Sequence, residues 1–431
     1  MIKAITNFMF LFVIAVVLSG CDDRQEIDDK FTIAVIPDTQ YYVDFTRQKN
    51  EGYPINAADL FIQQMEYVAV NSEQNGGEIV FTTAVGDIWQ NYEIGMDEAH
   101  KKRGLKQLPR ETNLPAEKVN AGVRDFELPL TKKGYDMIAR TGMPFSVAPG
   151  NHDYQYWWTV NPVPNDPVAT AKLIEEKARP NTHIGGYDTF NGVFGPDSHY
   201  FKDKDWYISS FNGGVNSAQI FEAGGYRFLH FAFEMQAGDD VLEWAQGVID
   251  ANPGLPTIMS THDYLNPRGE RKPASPLDLA KYDPLGHNSA EDIWNDWIKK
   301  NDQIFMILSG HHIGQSIRTD KNEAGLEVYQ VLSDFQGRGK VVNQDGDTKR
   351  LDRTGDGWLR LMEFDFSEKV PHINVRTYST YFKKYSYEVP EYVSWYRDIE
   401  QKGMSDQEFL NADHFQIELS DFKQRFGDPR L

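Results

Sequence analysis

Five apolar runs in this chain each stop at residues able to hold a cation or move a proton. Ile33 to Ile36 leads through Pro37 into Asp38, Thr39 and Gln40, and Ile79 to Val85 leads into Gly86 and Asp87. Phe145 to Pro149 precedes Gly150, Asn151, His152 and Asp153. Pro256 to Thr261 delivers His262 and Asp263, and Ile304 to Ser309 delivers Gly310, His311 and His312. Carboxylates, an amide carbonyl and imidazoles are mixed oxygen and nitrogen ligands without sulfur, a set that suits Mn, Fe or Zn. Two such ions sharing a carboxylate can hold both the attacking and the leaving oxygen of a displacement at phosphorus.

Short apolar runs closed by Pro or Gly are the pattern of buried strands. Helical periodicity lies between them. Asn56 and Asp59 precede a face of Leu60, Phe61, Met65 and Val68; Val241, Trp244, Ala245, Val248 and Ile249 mark a second. Ser289 with Asp292 caps a third, which carries Ile293, Trp294, Trp297 and Ile298. Alternating strands and helices imply parallel strands. All five polar clusters are therefore expected at one edge of one sheet, where ligands of open α/β sheets sit.

The chain has 431 residues, 40% of them hydrophobic and 13% aromatic, enough for a large core. Its net charge of −20 excludes a broad cationic surface for nucleic acid, so any anionic substrate must be attracted locally. At the start, Lys3 precedes an apolar run from Phe8 to Leu18, too short for the roughly 20 residues of a membrane-spanning helix. Leu18-Ser19-Gly20-Cys21 follows and resembles the lipobox of bacterial lipoproteins, in which the cysteine carries the lipid. Cys21 is the sole cysteine, which favours anchoring and leaves no intramolecular disulfide. Asp22 and Asp23 leave inner or outer membrane open. The expectation is a signal peptide over residues 1–20 and an exported chain facing the periplasm or the cell surface.

The order Asp38, Gly86-Asp87, Gly150-Asn151-His152-Asp153, His262, Gly310-His311 resembles the calcineurin-like metallophosphoesterase family, which includes the purple acid phosphatases and many phosphodiesterases. The likeness covers residues 31–315. It implies an α/β fold, a four-layer αββα sandwich closed by a β-rich part over 316–431. It also implies hydrolysis of phosphate esters by a metal-activated hydroxide attacking in line at phosphorus. Asp87 would bridge two metals, with Asn151, His262 and His311 completing the second site. His152, paired with Asp153, would assist the leaving group. Substrates would be phosphate-ester small molecules or exported phosphorylated partners.

Two departures fall on the first metal. The family places a histidine where this chain has Gln40, and reads GHxH where this chain has Gly310-His311-His312-Ile313. Gln90 stands where the purple acid phosphatases have a tyrosine. The first metal keeps Asp38 and Asp87, with Gln40 offering only a neutral carbonyl oxygen. A two-metal enzyme, a one-metal enzyme and a lipid-anchored binding protein that has lost catalysis all stay open.

Residues 93–133 carry mixed charge and no strand pattern, as a surface insertion does, and 155–225 forms a second excursion. Tyr154, Tyr156, Trp157, Trp158, Trp89 and Tyr92 are aromatics able to stack on a substrate or to pack. Alternation over Glu327–Leu332, Trp358–Phe366, His372–Tyr378 and His414–Leu419 predicts strands of a second sheet. Asp352, Asp356, Gly357 and Glu363 echo a calcium loop, although Thr354 breaks the pattern and a turn before a strand explains it better.

Overall fold

The computed structural model describes residues 28–93, 102, 106–107, 114–155, 157–159, 182–184, 186–272, 278–282, 286–343 and 353–428. Residues 1–27, with the expected signal peptide and Cys21, and Asp352 lie outside them. The chain is a mixed α/β structure built on two seven-stranded mixed sheets.

In the first sheet, β1 (Lys30–Ile36), β2 (Ile79–Ala84) and β4 (Phe145–Val147) run parallel. Against the other edge of β1 lie β14 (Trp358–Asp365), β15 (His372–Ser379) and β16 (Lys384–Tyr385), with β17 (His414–Glu418) also beside β15. The second sheet is ordered β12 (Gly314–Lys321), β13 (Glu327–Asp334), β11 (Ile304–Ser309), β10 (Thr257–Ser260), β9 (Tyr226–Ala232), β8 (Asn216–Ala223) and β7 (Tyr207–Phe211). Its inner strands β13, β11, β10 and β9 are parallel. A small third sheet joins β3 (Lys106–Gln107), β5 (Trp157–Thr159) and β6 (Thr182–Ile184).

Strand alternation sends side chains to two different cores. From β1, Ile33 and Val35 meet Phe228, Phe305 and Tyr329 of the second sheet, whereas Ala34 and Ile36 meet Leu60, Phe61 and Met65 of the helix Ala57–Val70 and Tyr135 of the helix Leu128–Thr141. On the far side, the helix Asp239–Ala251 and the short helix Ala290–Asp296 cover the second sheet through Val241, Ala245, Ile249, Ile293 and Trp294. Both faces of each central strand are thus buried, which is why these strands read as unbroken apolar runs. Ser289 and Asp292 form the expected capping box.

A polar ladder ties the sheets together. Thr83 Oγ1 donates to Ser260 Oγ at 3.0 Å and accepts from Ser146 Oγ at 2.8 Å, and a His230 ring nitrogen lies 2.9 Å from the same Ser260 oxygen. Burial holds the His230 imidazole down to about 3, so it serves here as a neutral hydrogen-bonding group.

Four expectations change. The five clusters sit on two sheets, because alternation of strand and helix specifies parallel pairing but not how many sheets share it. The segment 155–225 supplies β7 and β8. Residues 116–133, expected on the surface, are helical, with Val119, Val123, Glu127 and Thr131 buried. The C-terminal strands do not form one sheet: β13 joins β11, whereas β14, β15 and β17 extend the first sheet. The helices Tyr392–Glu400 and Asp406–Asp413 follow. The calcium echo is a buried turn: Asp356 accepts from Lys340 N, Val341 N, Thr354 Oγ1 and Tyr396 Oη, and Glu363 accepts from Asn374 and Arg376. No helix among the described residues is long and apolar enough to cross a membrane.

Candidate metal centre

The carboxyl ends of β1, β2 and β4 in one sheet and of β10, β11 and β13 in the other deliver their polar residues to one place. Three glycines make the approach possible. A Cβ on Gly310 would stand 2.2 Å from Asp38 Oδ1, one on Gly150 2.2 Å from Asp87 Oδ1, and one on Gly86 2.4 Å from His262 Nδ1. Asp87 and His311 adopt φ of 52° and 70°, a left-handed backbone that non-glycine residues rarely accept outside functional sites.

His262 is the hub. Its Nδ1 lies 2.8 Å from the Val85 carbonyl, which fixes the proton there and turns Nε2 inward. Around Nε2 stand Asp87 Oδ1 at 3.1 Å, Asn151 Oδ1 at 3.2 Å and His311 Nδ1 at 3.1 Å. The ligand atoms of Asp87, His262 and His311 all fall within 4.8 Å of one another. A divalent ion fits this donor set; without one, the facing His262 and His311 nitrogens and the Asp87 carboxylate need a proton between them. His311 Nε2 is buried with no partner.

The protonation tendencies of the metal-free site agree. Burial opposes charge on His262, but the Asp87 and Asp38 carboxylates outweigh it and hold the imidazole up to about 10. Burial likewise opposes the Asp87 carboxylate, yet His262 and His152 keep it well below the usual range. His311 is held down to about 3 by burial and by its neighbour His262. A single proton on His262 thus stands in for a cation.

His152 does not pair with Asp153, contrary to expectation. The His152 Nδ1 lies 2.7 Å from the Gln90 carbonyl, and its Nε2 faces Asp87 Oδ2 at 3.9 Å. Asp153 accepts main-chain donors instead: Ile88 N at 2.9 and 3.1 Å, Gly150 N at 2.7 Å and Trp89 N at 3.3 Å. It clamps the turn after β2 to the turn after β4. Burial and the neighbouring Asp87 push its carboxyl up to about 8.

The imidazole–carboxylate pair is formed elsewhere. His312 Nε2 meets Asp263 Oδ1 at 2.9 Å, while Asp263 Oδ2 accepts from Gln236 Nε2 at 2.8 Å. Asp263, His311 and His312 also bring ligand atoms within 4.8 Å of one another.

Asp38 and Gln40 are present but meet amides. Asp38 accepts from His311 N at 3.1 Å and from Gln336 Nε2 at 3.0 Å, and Gln40 Nε2 donates to Asp87 Oδ2 at 3.1 Å. Asp334 and Gln336, at the end of β13, were not anticipated. Their signal was a weaker form of the same one: Val328 to Leu332, apolar but for Gln330, is followed by Ser333 and Asp334. Of the aromatics, Trp89 packs against Phe190 and Phe194 and Tyr154 takes its hydrogen bond from Met235 N, so both belong to the core. Tyr156 and the side chains of Trp157 and Trp158 lie outside the described residues.

No family model matches this chain. It is similar to the Bacillus subtilis (strain 168) protein YvnB, itself described as uncharacterized, at 24% identity over 372 residues. That match takes in 85% of this chain and 21% of YvnB, so this chain spans about a fifth of its relative's length.

Proposed function

We propose that this chain is a metal-dependent hydrolase of phosphate esters with the αββα sandwich of the calcineurin-like metallophosphoesterases. In this reading it is exported and held to a bacterial membrane by lipid on Cys21. The observation that carries the catalytic part is the closure of Asp87 Oδ1, Asn151 Oδ1 and His311 Nδ1 around His262 Nε2, each at 3.1 to 3.2 Å. Oxygen and imidazole donors of this kind suit Mn, Fe or Zn. When bound, such an ion supplies acidity for an attacking water and positive charge for the phosphate oxygens.

The chain's own groups do the rest. Asp87 brings the charge that holds the ion, and Val85 sets the His262 tautomer. His152, with a side chain 26% exposed, is the imidazole a substrate reaches from solvent. Its Nδ1–H is held by the Gln90 carbonyl, which turns Nε2 outward; as the imidazolium, the ring gives its Nε2 proton to a departing oxygen and keeps the one on Nδ1. The acidic chain attracts its anionic substrate through the ion's local field.

The test is hydrolysis of p-nitrophenyl phosphate and bis-p-nitrophenyl phosphate by metal-free protein titrated with Mn²⁺, Fe²⁺ or Zn²⁺. Activity should rise with bound metal and vanish in Asp87→Asn, and the preferred ester separates monoesterase from diesterase. Metal binding with no turnover of either ester would leave a lipid-anchored binding protein.

A further inference from the structure

We propose that the turn over residues 353–357, the echo of a calcium loop, presents an anion site beside the metal centre. There the Arg353 guanidinium, Arg47 Nη2 and the Tyr41 hydroxyl take a second, terminal phosphate carried by the ester substrate. The proposal rests on the hydrolase reading above and deepens it by naming the substrate class, phosphate esters that bear a further phosphate.

The turn is fixed through its main chain. Thr354 N and Gly355 N both donate to the Arg338 carbonyl at 2.8 Å, and Gly357 N donates to Tyr42 Oη at 2.9 Å. Gly355 and Gly357 take φ of 77° and 74°, and a Cβ on Gly355 would stand 2.6 Å from that same Tyr42 oxygen. The Arg353 carbonyl receives Arg47 Nη1 and, at 3.5 Å, Tyr53 Oη. The turn is thus docked on the segment that follows β1. The Arg353 side chain is left over: its guanidinium meets no carboxylate or carbonyl among the described residues, in a chain with 64 acidic residues against 44 Lys and Arg.

Two more donors stand beside it. Arg47 spends Nε on Asp44 Oδ2 at 3.3 Å and Nη1 on the Arg353 carbonyl, which leaves Nη2 without a partner among the described residues. Its guanidinium lies 3.8 Å from the centroid of the Tyr41 ring, and the Tyr41 hydroxyl also lacks a partner there. Tyr41 directly follows Gln40, whose Nε2 donates to Asp87 Oδ2 at 3.1 Å. Burial raises the Tyr41 phenol; the Arg47 and Arg353 guanidiniums act against it, and Asp334 and Asp87 act with it. The hydroxyl therefore stands in the field of both cations and of two carboxylates of the centre, as a neutral donor. Asp44 balances Arg47, so the charge of Arg353 is the one left for a ligand. A carboxylate offers two oxygens, whereas a terminal phosphate offers three, one for each of these residues. The ion at His262 takes the phosphate to be cleaved, which makes this one a second group on the same molecule.

The experiment titrates Zn²⁺-loaded protein calorimetrically with alkane-α,ω-bisphosphonates of increasing chain length, each beside the alkylphosphonate of equal length. Their carbon–phosphorus bonds keep hydrolysis out of the readout. At the fitting length the bisphosphonate should bind about 10- to 100-fold more tightly, as added charge-assisted hydrogen bonds allow. Arg353→Met should bring the bisphosphonate down to the affinity of the alkylphosphonate, with Zn²⁺ retained as the report of a folded site, and Arg353→Lys should keep part of the gain. Tyr41→Phe should weaken the bisphosphonate several-fold. No preference for a bisphosphonate at any length, or an equal loss of both probes in Arg353→Met, overturns the proposal; the equal loss would put the guanidinium on the cleaved phosphate instead. A protein that prefers the bisphosphonate and cleaves no ester would keep this site and lose only the hydrolase.

Discussion

Asp153→Ala separates two roles for one carboxylate. As a partner of His152, Asp153 would tune a proton; as the structure places it, it ties down three main-chain N–H groups, those of Ile88, Trp89 and Gly150. The residue is 1% exposed, so alanine leaves all three donors without water. An unmade buried hydrogen bond costs about 1–3 kcal/mol, and even the low end for three gives about 3 kcal/mol. That is roughly two orders of magnitude in the folding constant. The protonation state does not enter, because the orphaned donors belong to the backbone. Urea unfolding of metal-free protein should show a lower midpoint at unchanged slope. Metal affinity should fall as well, since Ile88 and Gly150 adjoin Asp87 and Asn151, while the pH limbs of any remaining activity stay where they are. Unchanged stability together with a displaced limb would falsify the clamp and restore the pairing with His152.

The metal-free site carries a pH signature through His262, whose folded value of about 10 lies above its ordinary 6.5. Its proton therefore stabilises the folded chain fully below about pH 6.5, and that contribution is lost as pH rises through 10. An incoming ion must displace the same proton, so calorimetry should find affinity rising about tenfold per pH unit across that window, with proton release. Gly150→Ala drives a Cβ to 2.2 Å from Asp87 Oδ1 and 2.4 Å from the Asp87 main-chain N, and should both lower the urea midpoint and weaken metal binding in equilibrium dialysis. Arg338→Met strands the Glu400 carboxyl, whose side chain has zero exposure, and takes one of several partners from Asp413, and should cost about 3–5 kcal/mol in urea unfolding.

The strands that bear the centre were legible because burial on both faces forces unbroken apolar runs, and the glycines before Asp87, Asn151 and His311 were legible because nothing larger fits there. The helix cap at Ser289 was legible from its spacing. Other features depend on distance in space that local pattern does not carry. Nothing around Asp153 distinguishes an imidazole partner from backbone donors at residues 88 and 89. The strand over Asn216–Ala223 was hidden inside a segment rich in Gly and Asn, so β7 and β8, an antiparallel pair, passed as loop.

The end of β13 is the more instructive omission. Gln336 lies 298 residues from Asp38 and yet donates to it. What holds that turn in place comes from further along still: Arg338, two residues on, is gripped by Glu400 at 2.7 Å and by Asp413 at 3.3 Å. Burial pushes the Glu400 carboxyl up to about 7 even against that guanidinium, a measure of how dry the contact is. The same Asp413 accepts Tyr392 Oη and Gln315 Nε2, so the C-terminal helices, β12 and the turn after β13 share one buried network. The C-terminal part therefore does more than complete the sheets. It fixes the backbone that aims the Gln336 amide at Asp38 and Asp334, and loosening it should disturb the Asp38 side of the centre before His262, whose ring the Val85 carbonyl holds at the end of β2.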